Sequence, residues 1–89
     1  MRQEEVTICN KLGLHARAAA KFVATASEFS AEIEVEKDGK RVNGKSIMGV
    51  MMLAASKGSS IQLYAEGEDA DSAMEKLKTL VLDRFGEDE

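Results

Sequence analysis

A single histidine, His15, stands in the run Gly13-Leu14-His15-Ala16-Arg17-Ala18-Ala19-Ala20-Lys21. The residues after it favour helix, because alanine has the highest helix propensity. This order puts an imidazole at a helix N-terminus, where unpaired backbone N–H groups and the positive end of the macrodipole attract an anion. Arg17 adds a planar guanidinium whose fork matches phosphate oxygens. Ala16, Ala18 and Ala19 leave the N–H groups unobstructed, and Gly13 lets the chain turn tightly into the helix. The dipole also favours the uncharged ring, whose lone pair can attack. Together these groups suit nucleophilic capture of a phosphoryl group. Between Cys9 and Lys21 there is no second histidine and no carboxylate. Metal ligation and a hydrolytic triad are therefore poorly served.

These residues need a framework, and hydrophobic periodicity supplies one. Val6 and Ile8 predict a first strand from about Glu5 to Cys9, with a loop over Asn10 to Gly13. Ala19, Phe22, Val23 and Ala26 form the buried stripe of a helix from Ala16 to about Ser27. Ala31, Ile33 and Val35 alternate with Glu32, Glu34 and Glu36 as a second strand. Asp38-Gly39 makes a tight hairpin to a short strand over Lys40 to Asn43.

Ser46 is expected to cap a short helix, with Ile47, Val50, Met51 and Ala54 on one side and its end at Lys57-Gly58. Ile61, Leu63 and Ala65 mark a fourth strand. Asp69 is expected to cap a last helix, buried through Ala73, Leu77, Leu80 and Val81 and stopped by Gly86. The acidic residues Glu87-Asp88-Glu89 would then fray. The order is β-α-β-β-α-β-α, which implies an α+β, two-layer sandwich. Periodicity makes the hairpin strands antiparallel and leaves the remaining strand order open.

Eighty-nine residues suit one domain, residues 1–89. The longest apolar run, Ile47 to Ala55, is too short to span a bilayer, and Met1 to Glu5 has no secretory layout. Cys9 is alone, so no internal disulfide forms, and a cytoplasmic location is expected. A net charge of −4 argues against general nucleic-acid binding. Lys11, Arg17 and Lys21 nevertheless form one positive block, and Lys40, Arg41, Lys45 and Lys57 another. If the fold joins them, a basic face would steer acidic partners or phosphate.

Gly13-Leu14-His15-Ala16-Arg17 and Gly44-Lys45-Ser46-Ile47-Met48-Gly49-Val50-Met51-Met52-Leu53 resemble the two motifs of the histidine-containing phosphocarrier (HPr) family. Ala65-Glu66-Gly67-Glu68-Asp69-Ala70 adds to the likeness, which covers essentially the whole chain. The resemblance implies an open-faced β-sandwich, with four antiparallel strands in the order 1-4-2-3 and three helices on one face. It also implies a carrier of the bacterial phosphoenolpyruvate-dependent phosphotransferase system. His15 would take a phosphoryl group from phosphorylated enzyme I, or its nitrogen-system paralogue, and pass it to an enzyme IIA. Asn10 to Arg17, Met51-Met52-Leu53 and the Arg84 to Glu89 ending look closest to the nitrogen-related branch, called NPr. One departure is Ala18, where the family pattern has proline; alanine keeps an N–H and the helix, though the first turn loses a constraint.

On this reading His15 is the phosphoryl acceptor, Arg17 stabilises the phosphate, and the Ala16 and Ala18 N–H groups assist. Leu14, Ala20, Ile47, Met48, Gly49 and Met52 would offer an apolar docking patch, rimmed by Arg17, Lys21 and Lys45 and shared by donor and acceptor. Ser46 is a helix cap and, by resemblance, a regulatory phosphorylation site for an HPr kinase/phosphorylase. No cofactor, metal, nucleic acid or membrane partner is implied, and a monomer is expected. Two rivals differ in class. One is a regulatory protein whose state at His15 or Ser46 controls targets; the other is a small phosphatase or acyl-phosphate hydrolase, disfavoured because no general acid or base accompanies His15.

Overall fold

The computed structural model describes Met1–Glu89. The elements are β1 (Arg2–Thr7), α1 (Ala16–Ala26), β2 (Glu32–Lys37), β3 (Lys40–Asn43), α2 (Ile47–Met52), β4 (Ser60–Glu66) and α3 (Ala70–Leu82), closed by a 3-10 turn over Arg84–Gly86. One four-stranded sheet runs in the order β1-β4-β2-β3, every neighbouring pair antiparallel. This is the open-faced α+β sandwich with strand order 1-4-2-3.

Strand alternation sets the register. Val6 lies opposite Ile61, and Val35 opposite both Leu63 and Val42. These residues share the helix-covered face with Ile33 and Ala65, where Phe22, Ala26, Met74, Leu77 and Val81 bury against them in one cluster. A one-residue slip would turn Glu34 and Glu36 into that core, so the register is strongly fixed. On the open face, the Arg41 guanidinium stacks 3.7 Å from the Tyr64 ring centroid, and the Tyr64 hydroxyl donates to Glu36 at 2.5 Å. That carboxylate and the surrounding burial push the Tyr64 hydroxyl pKa up. Asp38 (φ 52°) and Gly39 (φ 82°) are the two left-handed residues of the predicted hairpin.

Several elements depart from the spans and caps that periodicity predicts. The first strand pairs from Arg2 to Thr7, shifted toward the start of the chain; Ile8 remains buried while its N–H bonds Ser59. The second helix stops at Met52, well before Lys57, because Ala54 adopts a left-handed φ of 52°. Ala54 is therefore exposed and Leu53 takes the buried place, while Ile47 is 43 % exposed. Asp69 sits at the start of α3 but does not cap it with its side chain. Its carboxylate instead accepts from the backbone N–H groups of Ser30 (2.9 Å) and Ala31 (2.8 Å). Those bonds hold the Asp69 carboxyl below its ordinary value and tie the loop after α1 to α3. The acidic ending does not fray but returns to the loop that carries His15.

Candidate functional site

His15 is the N-cap of α1, with extended backbone at φ −74° and ψ 178°. Its carbonyl accepts from Ala19 N–H at 2.8 Å, while its Nδ1 faces the Arg17 backbone N–H at 3.3 Å. The imidazole thus looks along the opening turn of the helix. Ala16 and Ala18 N–H have no backbone acceptor, so the donors anticipated at this end are present. The Ala18 side chain is fully buried and anchors the turn where the family pattern has proline. The Arg17 side chain is exposed and makes no hydrogen bond or ion pair, which leaves its fork uncommitted.

The loop before His15 is sewn to the exit of α2. Leu14 N–H donates to the Ala55 carbonyl at 2.8 Å, and Gly13 adopts φ 67° against the same carbonyl. A Cβ on Gly13 would lie 2.3 Å from that oxygen, so only glycine fits. Because α1 also packs on α2, the two motifs of the sequence meet in space. Ser46 caps α2 as expected, its Oγ accepting from Gly49 N–H at 3.1 Å.

Burial divides the expected docking residues. Met48 and Met52 are 67 % and 59 % exposed, and Ala20 and Ile47 are exposed as well. Gly49 is half-buried. Leu14 is corrected: it lies 5 % exposed within the core and offers no surface. Two of the three rim cations are tethered to carbonyls, Lys21 to Phe85 and Lys45 to Phe29, each at 2.7 Å. Nor is the face around His15 uniformly basic. A cleft of about 260 Å³ beside it is lined by Lys11, Leu12 and Arg17 on one side and Glu87, Asp88 and Glu89 on the other.

Two residues escaped the sequence reading. The Glu87 carboxylate, 72 positions from His15, contacts the imidazole Nε2 through Oε2. Its other oxygen accepts from Asn10 Nδ2 at 3.0 Å, and the Asn10 amide also donates to the Gly13 carbonyl at 2.8 Å. Asn10 is fully buried. Burial pushes the Glu87 carboxyl pKa up, but the bonds from Asn10 and His15 and the nearby Arg17 charge outweigh it, leaving the carboxyl below its ordinary value. A carboxylate does contact the ring, then, and it comes from the far end of the sequence. The only local signal was a polar loop residue, Asn10, next to a buried strand.

The fold and site define a small sandwich that presents one histidine as the N-cap of its first helix. Residues 2–83 match the family described as the PTS HPr component phosphorylation site. Over 89 residues the chain is 54 % identical to the phosphocarrier protein HPr of Neisseria meningitidis serogroup A, with both chains fully covered. It is 46 % identical over 85 residues to the phosphocarrier protein NPr of Shewanella violacea, covering 96 % of this chain and 93 % of that one. The crystal structure of HPr from Thermoanaerobacter tengcongensis superposes with a TM-score of 0.96 at 52 % identity, covering all of both chains. The chain belongs to the HPr family of phosphocarrier proteins of the phosphotransferase system. Relatives carry both the HPr and the NPr name, so the family, rather than its nitrogen branch, is what these likenesses define. No helix is long and apolar enough to cross a membrane.

Proposed function

We propose that His15 accepts a phosphoryl group from phosphorylated enzyme I, or from its nitrogen-system paralogue, and passes it to an enzyme IIA. The observation that carries this reading is the orientation of Nδ1, which faces the opening turn of α1 beside an uncommitted Arg17. In the transfer, the Nδ1 lone pair attacks phosphorus while the bond to the donor atom breaks, its electron pair staying with the donor. The Arg17 N–H, only loosely bound to Nδ1 at 3.3 Å, then turns to a phosphoryl oxygen together with the Ala16 and Ala18 N–H groups. The guanidinium closes over the remaining charge. Passing the group to enzyme IIA reverses these steps, and the protein acts as a relay with a phosphohistidine intermediate in the cytoplasm. Labelled phosphoenolpyruvate with enzyme I should place one acid-labile, alkali-stable phosphate on each chain. Label that persists in His15→Ala would overturn the assignment.

A second, regulatory reading rests on Ser46, which opens α2 next to the exposed Met48 and so borders the same surface as His15. Phosphorylation there, by an HPr kinase/phosphorylase, would set a negative charge at a helix start without harming the helix. The same charge would repel an acidic donor surface and add a desolvation cost to the methionine contact. Ser46→Asp should melt no lower than the parent yet take phosphate from enzyme I at least tenfold more slowly. Wild-type uptake by Ser46→Asp would reduce the serine to a cap.

A further inference from the structure

We propose that Glu87 is a positioning residue for His15: its carboxylate, braced by Asn10, accepts the Nε2–H and leaves Nδ1 as the nitrogen with the free lone pair. The inference rests on the carrier reading above and names the group that prepares the ring for it.

The donor and acceptor inventory of the cluster permits only one arrangement. An ionised carboxylate accepts and never donates, so the imidazole nitrogen that faces it must carry the proton. In the neutral ring the other nitrogen is then unprotonated, which agrees with Nδ1 facing the Arg17 N–H donor. The Asn10 amide is equally constrained. Its two neighbours, the Gly13 carbonyl and Glu87 Oε1, are both acceptors, so its NH₂ must face them. The cost is visible in the buried Asn10 Oδ1, which has no hydrogen-bond partner. A carboxylate alone accepts from both Asn10 and His15; a glutamine has a single carbonyl to share between them.

The backbone is bent to bring Glu87 there. Arg84, Phe85 and Gly86 adopt φ of 57°, 53° and 77° in succession, and the first two are not glycine. Such strain persists only where surrounding contacts impose it. Phe85 is fully buried in the core, and Lys21 Nζ holds its carbonyl at 2.7 Å. Glu87 N–H closes the turn on the Arg84 carbonyl at 2.9 Å. The fold thus anchors Phe85 in order to return Glu87 to an imidazole at the opposite end of the chain.

The carboxylate matters more as transfer proceeds. When Nδ1 bonds to phosphorus with Nε2–H retained, the ring becomes cationic, and Glu87 then pairs with that charge across a charge-assisted hydrogen bond. An interaction that strengthens as charge develops speeds the step. The arrangement parallels the acid that holds a catalytic histidine in hydrolytic triads, here serving a ring that is itself the nucleophile.

The test uses the full chain, ¹⁵N-labelled, at about pH 8.5, well above the ordinary imidazole range. Long-range ¹H–¹⁵N correlation should show His15 of the parent protonated at Nε2 and bare at Nδ1. Glu87→Ala should give a mixture of the two tautomers and take phosphate from phosphorylated enzyme I about tenfold more slowly, the usual scale for losing a partner that orients a ligand or base. Glu87→Gln, nearly isosteric and with one carbonyl to share, should fall between the two on both measures. Asp88→Asn, which alters a neighbour that does not contact the ring, should match the parent. Backbone amide spectra that superpose away from residues 84–89 verify the fold of each variant. A tautomer unchanged in Glu87→Ala overturns the proposal, and so does an unchanged uptake rate. The tautomer measurement needs no phosphoryl donor, so it judges Glu87 even if the parent takes up no label, an outcome that would instead overturn the carrier reading.

Discussion

Gly13→Ala should lower the stability of the fold by roughly 3 kcal/mol, the combined scale of forcing a non-glycine residue into left-handed backbone and of overpacking a tight contact. The native φ of 67° is one that alanine adopts only under strain. The added methyl would meet the Ala55 carbonyl at 2.3 Å and the Ser56 Cα at 2.9 Å, both of them backbone atoms that cannot swing aside. The chain must therefore separate the His15 loop from the exit of α2, breaking the Leu14 N–H to Ala55 bond. That movement also carries the Gly13 carbonyl away from Asn10, and with it the brace on Glu87. Denaturant unfolding should show the lower midpoint, and phosphoryl uptake should fall in the fraction that remains folded. A variant as stable as the parent would mean that the loop has room that the geometry denies.

Arg17→Ala should slow phosphoryl uptake and release by about a hundredfold, the order seen when one preorganised charge-stabilising donor is removed from a transfer site. The side chain is exposed and unpaired, so its loss should leave the fold and the melting temperature as they are. On the proposed reading its main work comes in the phosphorylated state, where it would offset the phosphoryl charge and shield it from the Glu87 carboxylate that lines the same cleft. Arg17→Lys keeps the charge but loses the planar fork, and should recover only part of the rate. Rapid-quench measurement of uptake from enzyme I separates these outcomes. A rate unchanged in Arg17→Ala would show that the backbone N–H groups at the start of α1 suffice.

How legible each part was in the sequence follows from the range over which it is determined. The alternation of Ala31, Ile33 and Val35 with three glutamates specifies β2 locally, because only one face of that strand can be buried. The helix start at His15 was equally readable, since cap, glycine and alanine run lie within a few residues of one another. Pairing of β1 with β4 was not readable from periodicity, which joins only strands linked by a tight turn; that order came from family resemblance. The stripe expected on α2 holds only at Val50 and Met51, because the helix has six residues, too few for periodicity to fix which side faces the core. Leu14 was misread for a related reason: an apolar residue in a loop gives no phase. Glu87 was out of reach altogether. Its contact depends on left-handed backbone at Arg84 and Phe85, which neither residue type forecasts, and on tertiary packing of Phe85.

The most direct test of the account follows the phosphoryl group after it has arrived. The full chain is labelled by enzyme I with phosphoenolpyruvate labelled at its phosphate, then freed of enzyme I and mixed with an enzyme IIA. The account predicts that the label leaves His15 promptly and appears on the enzyme IIA, mole for mole, with free phosphate formed only at the slow rate seen without acceptor. Label that remains on the chain, or that passes to water as inorganic phosphate when enzyme IIA is added, would contradict the claim that this histidine is the mid-point of a relay.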